Sequence, residues 1–220
     1  MVIKATRNMI VDRKKSKIEF ILFLVISVPF FILCQQILEL NYPDIDFYIS
    51  DLIQTKTSPI FEFLLVNFYS LTGVYVTAIV VATALGILVW KRYWQEAKVL
   101  AFASLGILIL VDVILKPFFD RRRPPGPLLV EVSGNKSYPS GHAAGNFVFY
   151  FYLSFVIATR FPQYTKYIYG LSTLIILIIG YSSIYVKAHW ATDILAGYVF
   201  GYLWLIICLT ILKFSNSKYR

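Results

Sequence analysis

Long runs without charge constrain this chain more than any other feature. From Phe63 to Trp90 the sequence carries no charged residue at all. A helix needs about 20 consecutive apolar residues to cross the hydrocarbon of a bilayer. Runs of that length recur: Ile18 to Leu38 with Pro29 as an expected kink, Gly73 to Trp90, Val99 to Leu115 interrupted only by Asp112, Ala143 to Thr159, Tyr167 to Val186, and Ile194 to Leu212. The pattern predicts an all-α polytopic membrane protein, a bundle of six transmembrane helices. Residues 1–220 then form one integral membrane domain, with no soluble domain of useful size left over. A mean hydropathy of +0.68 agrees with that class. The first run lacks a small-residue cleavage site and is read as a retained span rather than a signal peptide.

The net charge of +9 is read by position, not as a nucleic-acid footprint. With the N-terminus cytoplasmic, the tail 1–17 carries Lys4, Arg7, Arg13, Lys14, Lys15 and Lys17. The inner loops and the C-terminus add Lys91, Arg92, Lys98, Arg160, Lys166, Lys213, Lys218 and Arg220. That puts 14 of the 21 basic residues inside, as the positive-inside rule expects. Five of the rest, Lys116, Arg121, Arg122, Arg123 and Lys136, cluster on the opposite side. Cys34 and Cys208 both fall in apolar runs and read as packing residues. Between the first two spans, Asn41 to Gly73 mixes aromatics with Asp44, Asp46 and Asp51. It is expected to hold one or two short interfacial helices.

Chemistry-bearing residues gather in three places, all predicted to face one side. Lys116 follows Asp112 by four residues, which puts both on one helix face. They read either as a snorkelling lysine with a local partner or as an ammonium held for an anion. "RRRPPGP" offers guanidinium forks suited to phosphate, or a solvated basic loop touching headgroups; residue chemistry alone does not rank its three arginines. In "SYPSGHAAGNF", Ser140 is placed as an N-cap, Gly141 allows close backbone approach, and His142 stands in a first helical turn whose free N–H groups favour an anion. The other reading is a capping serine followed by an interfacial histidine. In "KAHWATD", Asp193 can fix the tautomer of His189 and leave its other nitrogen as base or nucleophile. The other reading is a helix-entry histidine with Asp193 as a first-turn acid favouring the helix dipole. Gly197 and Gly201 read as a small-residue packing stripe. Two histidines and an aspartate suggest zinc, but zinc takes three or four ligands and the neighbours here are cations. An anionic substrate fits better than a metal.

These pieces resemble the membrane phosphatidic-acid phosphatase type 2 family, which shares its active-site pattern with vanadium haloperoxidases. K-x6-R-P matches Lys116 through Arg123-Pro124, P-S-G-H matches Pro139 to His142, and S-R-x5-H-x3-D matches at Ser182, His189 and Asp193. The motif region spans 116–201. The family's second arginine falls on Ser183 here, and Lys187, one turn further on if the helix continues, is a candidate substitute. The resemblance implies a metal-independent, cofactor-free lipid phosphatase acting through a phosphohistidine. In that reading His189 is the nucleophile, Asp193 orients it, and His142 is acid and base. Lys116, Arg123, Ser140, Gly141 and Lys187 hold phosphate, with Ser183 and Asp112 as further site residues. Phosphatidylglycerol phosphate, phosphatidate and undecaprenyl diphosphate are all compatible substrates. The implied setting is a bacterial inner membrane, with cytoplasmic termini and the site at the outer face. A lipid phosphotransferase with the same residues, or a non-catalytic lipid-binding relative, are the alternatives.

Overall fold

The computed structural model describes residues 28, 30–40, 43–53, 58–132 and 134–215. The expected basic tail and most of the first expected span lie outside the described residues. The chain divides into two compact units, Met1–Asn41 and Tyr42–Arg220. In the first, an apolar helix α1 (Phe30–Leu40) is described. Gln35 donates to Glu39 one turn on, at 3.2 Å.

The second unit holds α2 (Asp44–Ile53), α3 (Pro59–Leu71), α4 (Val74–Trp90) and α5 (Trp94–Leu108). A π-helical segment (Ile109–Leu115) and α6 (Lys116–Phe119) follow, then α7 (Gly141–Arg160), α8 (Thr165–Tyr185) and α9 (Ala191–Ser215). Among the described residues the only strand-like pairing is an isolated bridge between Arg122 and Lys136. Among the described residues, four helical runs are long and apolar enough to cross a membrane: Trp94–Phe119, Gly141–Arg160, Pro162–Tyr185 and Ala191–Ser215. α3 and α4 meet at a 55° bend and make a fifth if counted as one crossing. The second expected span thus begins within one residue of Gly73. The stretch before it holds two helices, α2 and α3, and the second of them is continuous with the span apart from the bend.

Local chemistry sets the helix ends. Ser58 caps α3, accepting from Phe61 N at 3.3 Å, with Pro59 at the first helical position. Pro117 has no N–H to give to the turn before it, and the π-helical segment lies immediately upstream. Pro162 follows two residues after α7 ends. α8 stops where Lys187 turns left-handed (φ 60°).

The outer face of the unit is apolar, unlike that of a water-soluble domain, and charged side chains are buried within it beside an apolar core. Ile79, Leu105, Val113, Leu174 and Leu177 are exposed, whereas Asp46, Glu96, Arg121 and Asp193 are buried. Helices are therefore joined by packing and polar contacts rather than by exclusion of apolar surface from water. α7 is central, packed on α9, α8 and α5. Ser154 and Ser172 hydrogen-bond between α7 and α8 at 2.7 Å. Trp204 Nε1 on α9 donates to the Ala103 carbonyl on α5 at 3.0 Å. A Cβ on Gly197 would sit 2.7 Å from the Ser140 carbonyl, and one on Gly201 would sit 3.0 Å from that of Ala144. The small-residue stripe is thus where α9 meets the start of α7. Cys208 is fully buried in the same core, as its apolar setting suggests. The protein is an integral membrane protein with an all-helical core.

Candidate active site

Four helix ends converge at one end of this unit: the C-terminal ends of α6 and α8, and the N-terminal ends of α7 and α9. Backbone bonds tie them together. Ser140 N donates to the Asp193 carbonyl at 3.0 Å, which joins the start of α7 to the start of α9. Ala188 N and His189 N both donate to the Ser183 carbonyl, at 3.1 and 3.2 Å. The left-handed residue Lys187 makes that reversal possible. α9 begins at Ala191, after His189, so a turn and not a shared helix face brings His189 to Asp193.

The structure brings His142 and His189 together, with ring centroids 6.5 Å apart. His142 sits in the first turn of α7, behind the Ser140 cap, whose hydroxyl accepts from Ala143 N at 3.2 Å. His189 Nδ1 lies 3.5 Å from Asp193 Oδ2, long for a hydrogen bond. His142 Nε2 and His189 Nδ1 are buried, and neither makes a hydrogen bond among the described residues. Burial is the largest influence on His189 and lowers its pKa below the ordinary value. Asp193 opposes that shift, while Arg123 and Lys116 reinforce it. Burial thus favours the neutral ring.

Lys116 pairs with Asp112 at 2.5 Å across the π-helical turn. A Cβ on Gly141 would lie 3.7 Å from Lys116 Nζ and 3.3 Å from Asp112 Oδ1, so the pair rests against the start of α7. Arg123 donates through Nε to the Gly134 carbonyl at 3.1 Å and through Nη1 to the Ala188 carbonyl. It thereby clasps the loop to the turn before His189. Burial lowers its pKa, and Tyr69, Asp193 and Asp112 oppose the shift; a guanidinium stays charged regardless. Both cations bear electrostatically on His142 and His189.

Ser183 is fully buried, and its hydroxyl turns back to the Ile179 carbonyl at 2.6 Å. Lys187 falls past the end of α8 rather than one helical turn beyond Ser183. Its Nζ stands 2.9 Å from where a Cβ on Gly126 would be, and the chain at Gly126 adopts φ +106°. A cavity of about 170 Å³ opens there, lined by Pro127, Leu129, Tyr185 and Lys187. The N–H of Ser140 is already donated to Asp193, so the amides left at this helix end are those of Gly141 and His142.

Three residues enter the site that sequence reasoning did not single out. Arg121, read above only as one of three loop arginines, is fully buried. It reaches Asp193 Oδ1 at 2.5 Å, Thr192 Oγ1 at 2.7 Å, and Asp46 Oδ2. Asp46 is also fully buried, although Ile45 and Phe47 beside it are exposed. An acid set among apolar residues that face outward was the available signal for an inward-facing group. Tyr69 on α3 stacks on His142, with centroids 4.7 Å apart and planes 14° from parallel; nothing in its local sequence marks it. Among the described residues no group of three or more His, Cys, Asp or Glu side chains gathers as a metal site. Two neighbouring imidazoles, with two cations bearing on both, can bind an anion, attack it and exchange a proton with it.

The model of the PAP2 superfamily matches residues 97–217, more than half of the chain. Phosphatidylglycerophosphatase B of Bacillus subtilis is 27% identical over 128 residues, 57% of this chain and 62% of that protein. Undecaprenyl-diphosphatase of Sulfolobus acidocaldarius is 28% identical over 120 residues, 52% of this chain and 54% of that protein. The matches therefore span less than two thirds of either relative's length. Among solved structures, the transmembrane PAP2-type phosphatidylglycerolphosphate phosphatase from Bacillus subtilis superposes with a TM-score of 0.78. It covers 88% of this chain and 96% of its own, at 20% identity. LpxE of Aquifex aeolicus gives a TM-score of 0.59 at 26% identity, covering 74% of this chain and 94% of its own. Asp46 and Tyr69 lie outside the residues that the family model matches.

Proposed function

This chain belongs to the PAP2 superfamily, and from that premise we propose that it is a membrane lipid phosphatase that hydrolyses a lipid phosphomonoester or diphosphate through a phosphohistidine. The observation that carries the reading is the pair of imidazoles 6.5 Å apart, with Asp193 behind one of them and Lys116 and Arg123 beside both. With Nδ1 turned to Asp193, His189 presents Nε2 to phosphorus. The N–P bond forms as the bond from phosphorus to the leaving oxygen breaks, that of the lipid alcohol in a monoester or of the lipid monophosphate in a diphosphate, and His142 gives that oxygen its proton. Water then attacks phosphorus, His142 takes the water's proton, and the N–P bond breaks to release phosphate and His189. Lys116, Arg123 and the amides of Gly141 and His142 hold the nonbridging oxygens. Ser140 keeps the helix end in place. Asp112 keeps Lys116 extended, and Lys187 supplies the cation that the family motif has at Ser183. Phosphoryl transfer depends mainly on positioning and charge, and a general acid contributes about 10²–10⁴ in rate. Such a site works without a metal.

Orientation belongs to the same proposal: six crossings, cytoplasmic termini and a site at the outer face of a bacterial inner membrane. The supporting feature is the 14 to 7 division of the 21 basic residues. Phosphatidylglycerol phosphate, phosphatidate and undecaprenyl diphosphate all present a phosphate at that interface with the tail in the bilayer. The deciding experiment is phosphate release by the purified protein in detergent with EDTA, over a panel of lipid phosphates and diphosphates. Release from at least one lipid, lost in His189→Ala, is expected. Release that survives His189→Ala, or radiolabel passing to a second lipid in place of free phosphate, overturns the reading.

A further inference from the structure

We propose that Asp46 is a positioning residue for His189, acting through Arg121 and Thr192 on Asp193; the proposal rests on the phosphatase reading above. Asp46, Arg121 and Asp193 are all fully buried. Arg121 forks between the two carboxylates, Nη2 to Asp46 Oδ2 and Nη1 to Asp193 Oδ1. Asp46 also accepts from Thr192 N at 2.9 Å and from Thr192 Oγ1 at 2.6 Å. One carboxylate thus anchors both the arginine behind Asp193 and the first turn of the helix that carries Asp193. Trp190 and Tyr138 enclose the guanidinium, with their rings 5.5 and 6.0 Å from its carbon.

Charge explains why an acid, and not a neutral cap, suits this place. Three buried charges are hard to hold unless each is paired. With Arg121 and Asp193 alone the cluster is neutral, and the arginine absorbs most of the carboxylate's attraction. Asp46 takes up half of the guanidinium. The cluster then carries a net negative charge, and Asp193 Oδ2, the oxygen that Arg121 does not take, lies 3.5 Å from His189 Nδ1 while accepting from Trp190 N at 2.9 Å. A positive charge forming on that ring during phosphoryl transfer is balanced by it. The charged or titratable groups that face His189 are Asp193 from α9, His142 from α7, Lys116 from α6 and Arg123 from the loop. Asp193 is the only anion among these, so its strength matters. Arg121 and Asp46 set that strength from behind.

Asp46→Asn removes the charge and keeps the shape. Phosphate release from short-chain phosphatidate in mixed micelles is measured against pH for the full-length protein. The expected result is kcat lower by about 10- to 100-fold, taking as a guide the effect of removing the outer partner of a metal-bound histidine. KM is held, and the acid limb of the kcat/KM profile moves to lower pH because the His189 cation is less stabilised. Parental kcat, or a loss of kcat with the acid limb unmoved, overturns the role of Asp46. Thr192→Val tests the same link without unpairing a buried charge. It frees Arg121 Nη1 to turn wholly to Asp193 and is expected to shift the limb the same way by a smaller amount; a parental profile counts against the proposal. On an Arg121→Gln background, Asp46→Asn is expected to add little, whereas multiplying effects sink the coupling. Absence of release by the unsubstituted protein from every lipid in the panel overturns the phosphatase reading itself, and with it this one.

Discussion

At the scale of the residue, the site is a contest between burial and charge. His189 is almost wholly buried, and burial, Arg123 and Lys116 together outweigh Asp193 and lower its pKa. A nucleophilic imidazole must be neutral, so the acid limb of kcat/KM is expected below the ordinary histidine value of about 6.5. A limb well above that value contradicts the burial account. Stability follows the same sign. The unfolded chain takes up a proton near pH 6.5 and the folded one does not. As pH falls from there toward the lowered folded value, His189 subtracts stability, and thermal unfolding in detergent should move to lower temperature between pH 7.5 and 5. Lys187 is tested separately. Lys187→Met is expected to lower kcat/KM about ten-fold or more, the worth of one charge-assisted hydrogen bond. Unchanged turnover removes Lys187 from the site. Its φ of 60° costs about 1 kcal/mol or more in a non-glycine residue, and that backbone turn is what aims Ala188 and His189.

At the scale of the element, the meeting of α7 and α9 decides the geometry. The two helix starts carry His142 and Asp193, and Ser140 N to Asp193 O joins them. Gly197 gives the room: an added Cβ would meet the Ser140 carbonyl at 2.7 Å and the Ala143 Cβ at 2.8 Å. Gly197→Ala is expected to cost about 1–3 kcal/mol by overpacking and to depress activity beyond the loss of folded protein, since both helix starts must shift. Gly170→Ala in α8 is the control, because a Cβ there meets nothing within 4 Å. It should be neutral or stabilising by up to about 1 kcal/mol. Equal effects of the two substitutions on unfolding temperature and phosphate release sink the packing argument. The small-residue spacing was legible in the sequence; that its contact would be the carbonyl of the serine before His142 was not.

At the scale of the whole molecule, the site lies at one end of the Tyr42–Arg220 unit. A second buried polar group lies at the opposite end, where Arg160 pairs with Glu96 at 2.9 Å over the ring of Tyr93. The proposed orientation puts the first end outside. After Cys34→Ser and Cys208→Ala, Lys136→Cys should react with an impermeant maleimide on intact cells, and Lys166→Cys only after lysis. The reverse pattern overturns the orientation. The sequence by itself determined the helical class, the order of the apolar runs and the three motif segments, because hydropathy and motif spacing are local properties of a chain. Motif spacing singled out Arg123, but the sequence could not give Arg121 a role, nor bring Asp46 and Tyr69 into the site, for they are far from the motif histidines along the chain and alike in type to many other residues. Only the tertiary structure decided that Arg121 turns inward between two carboxylates while Arg123 clasps the His189 turn. A buried ion pair requires partners from separate helices to arrive in one place, and that arrival is a property of the packed bundle, not of any segment within it.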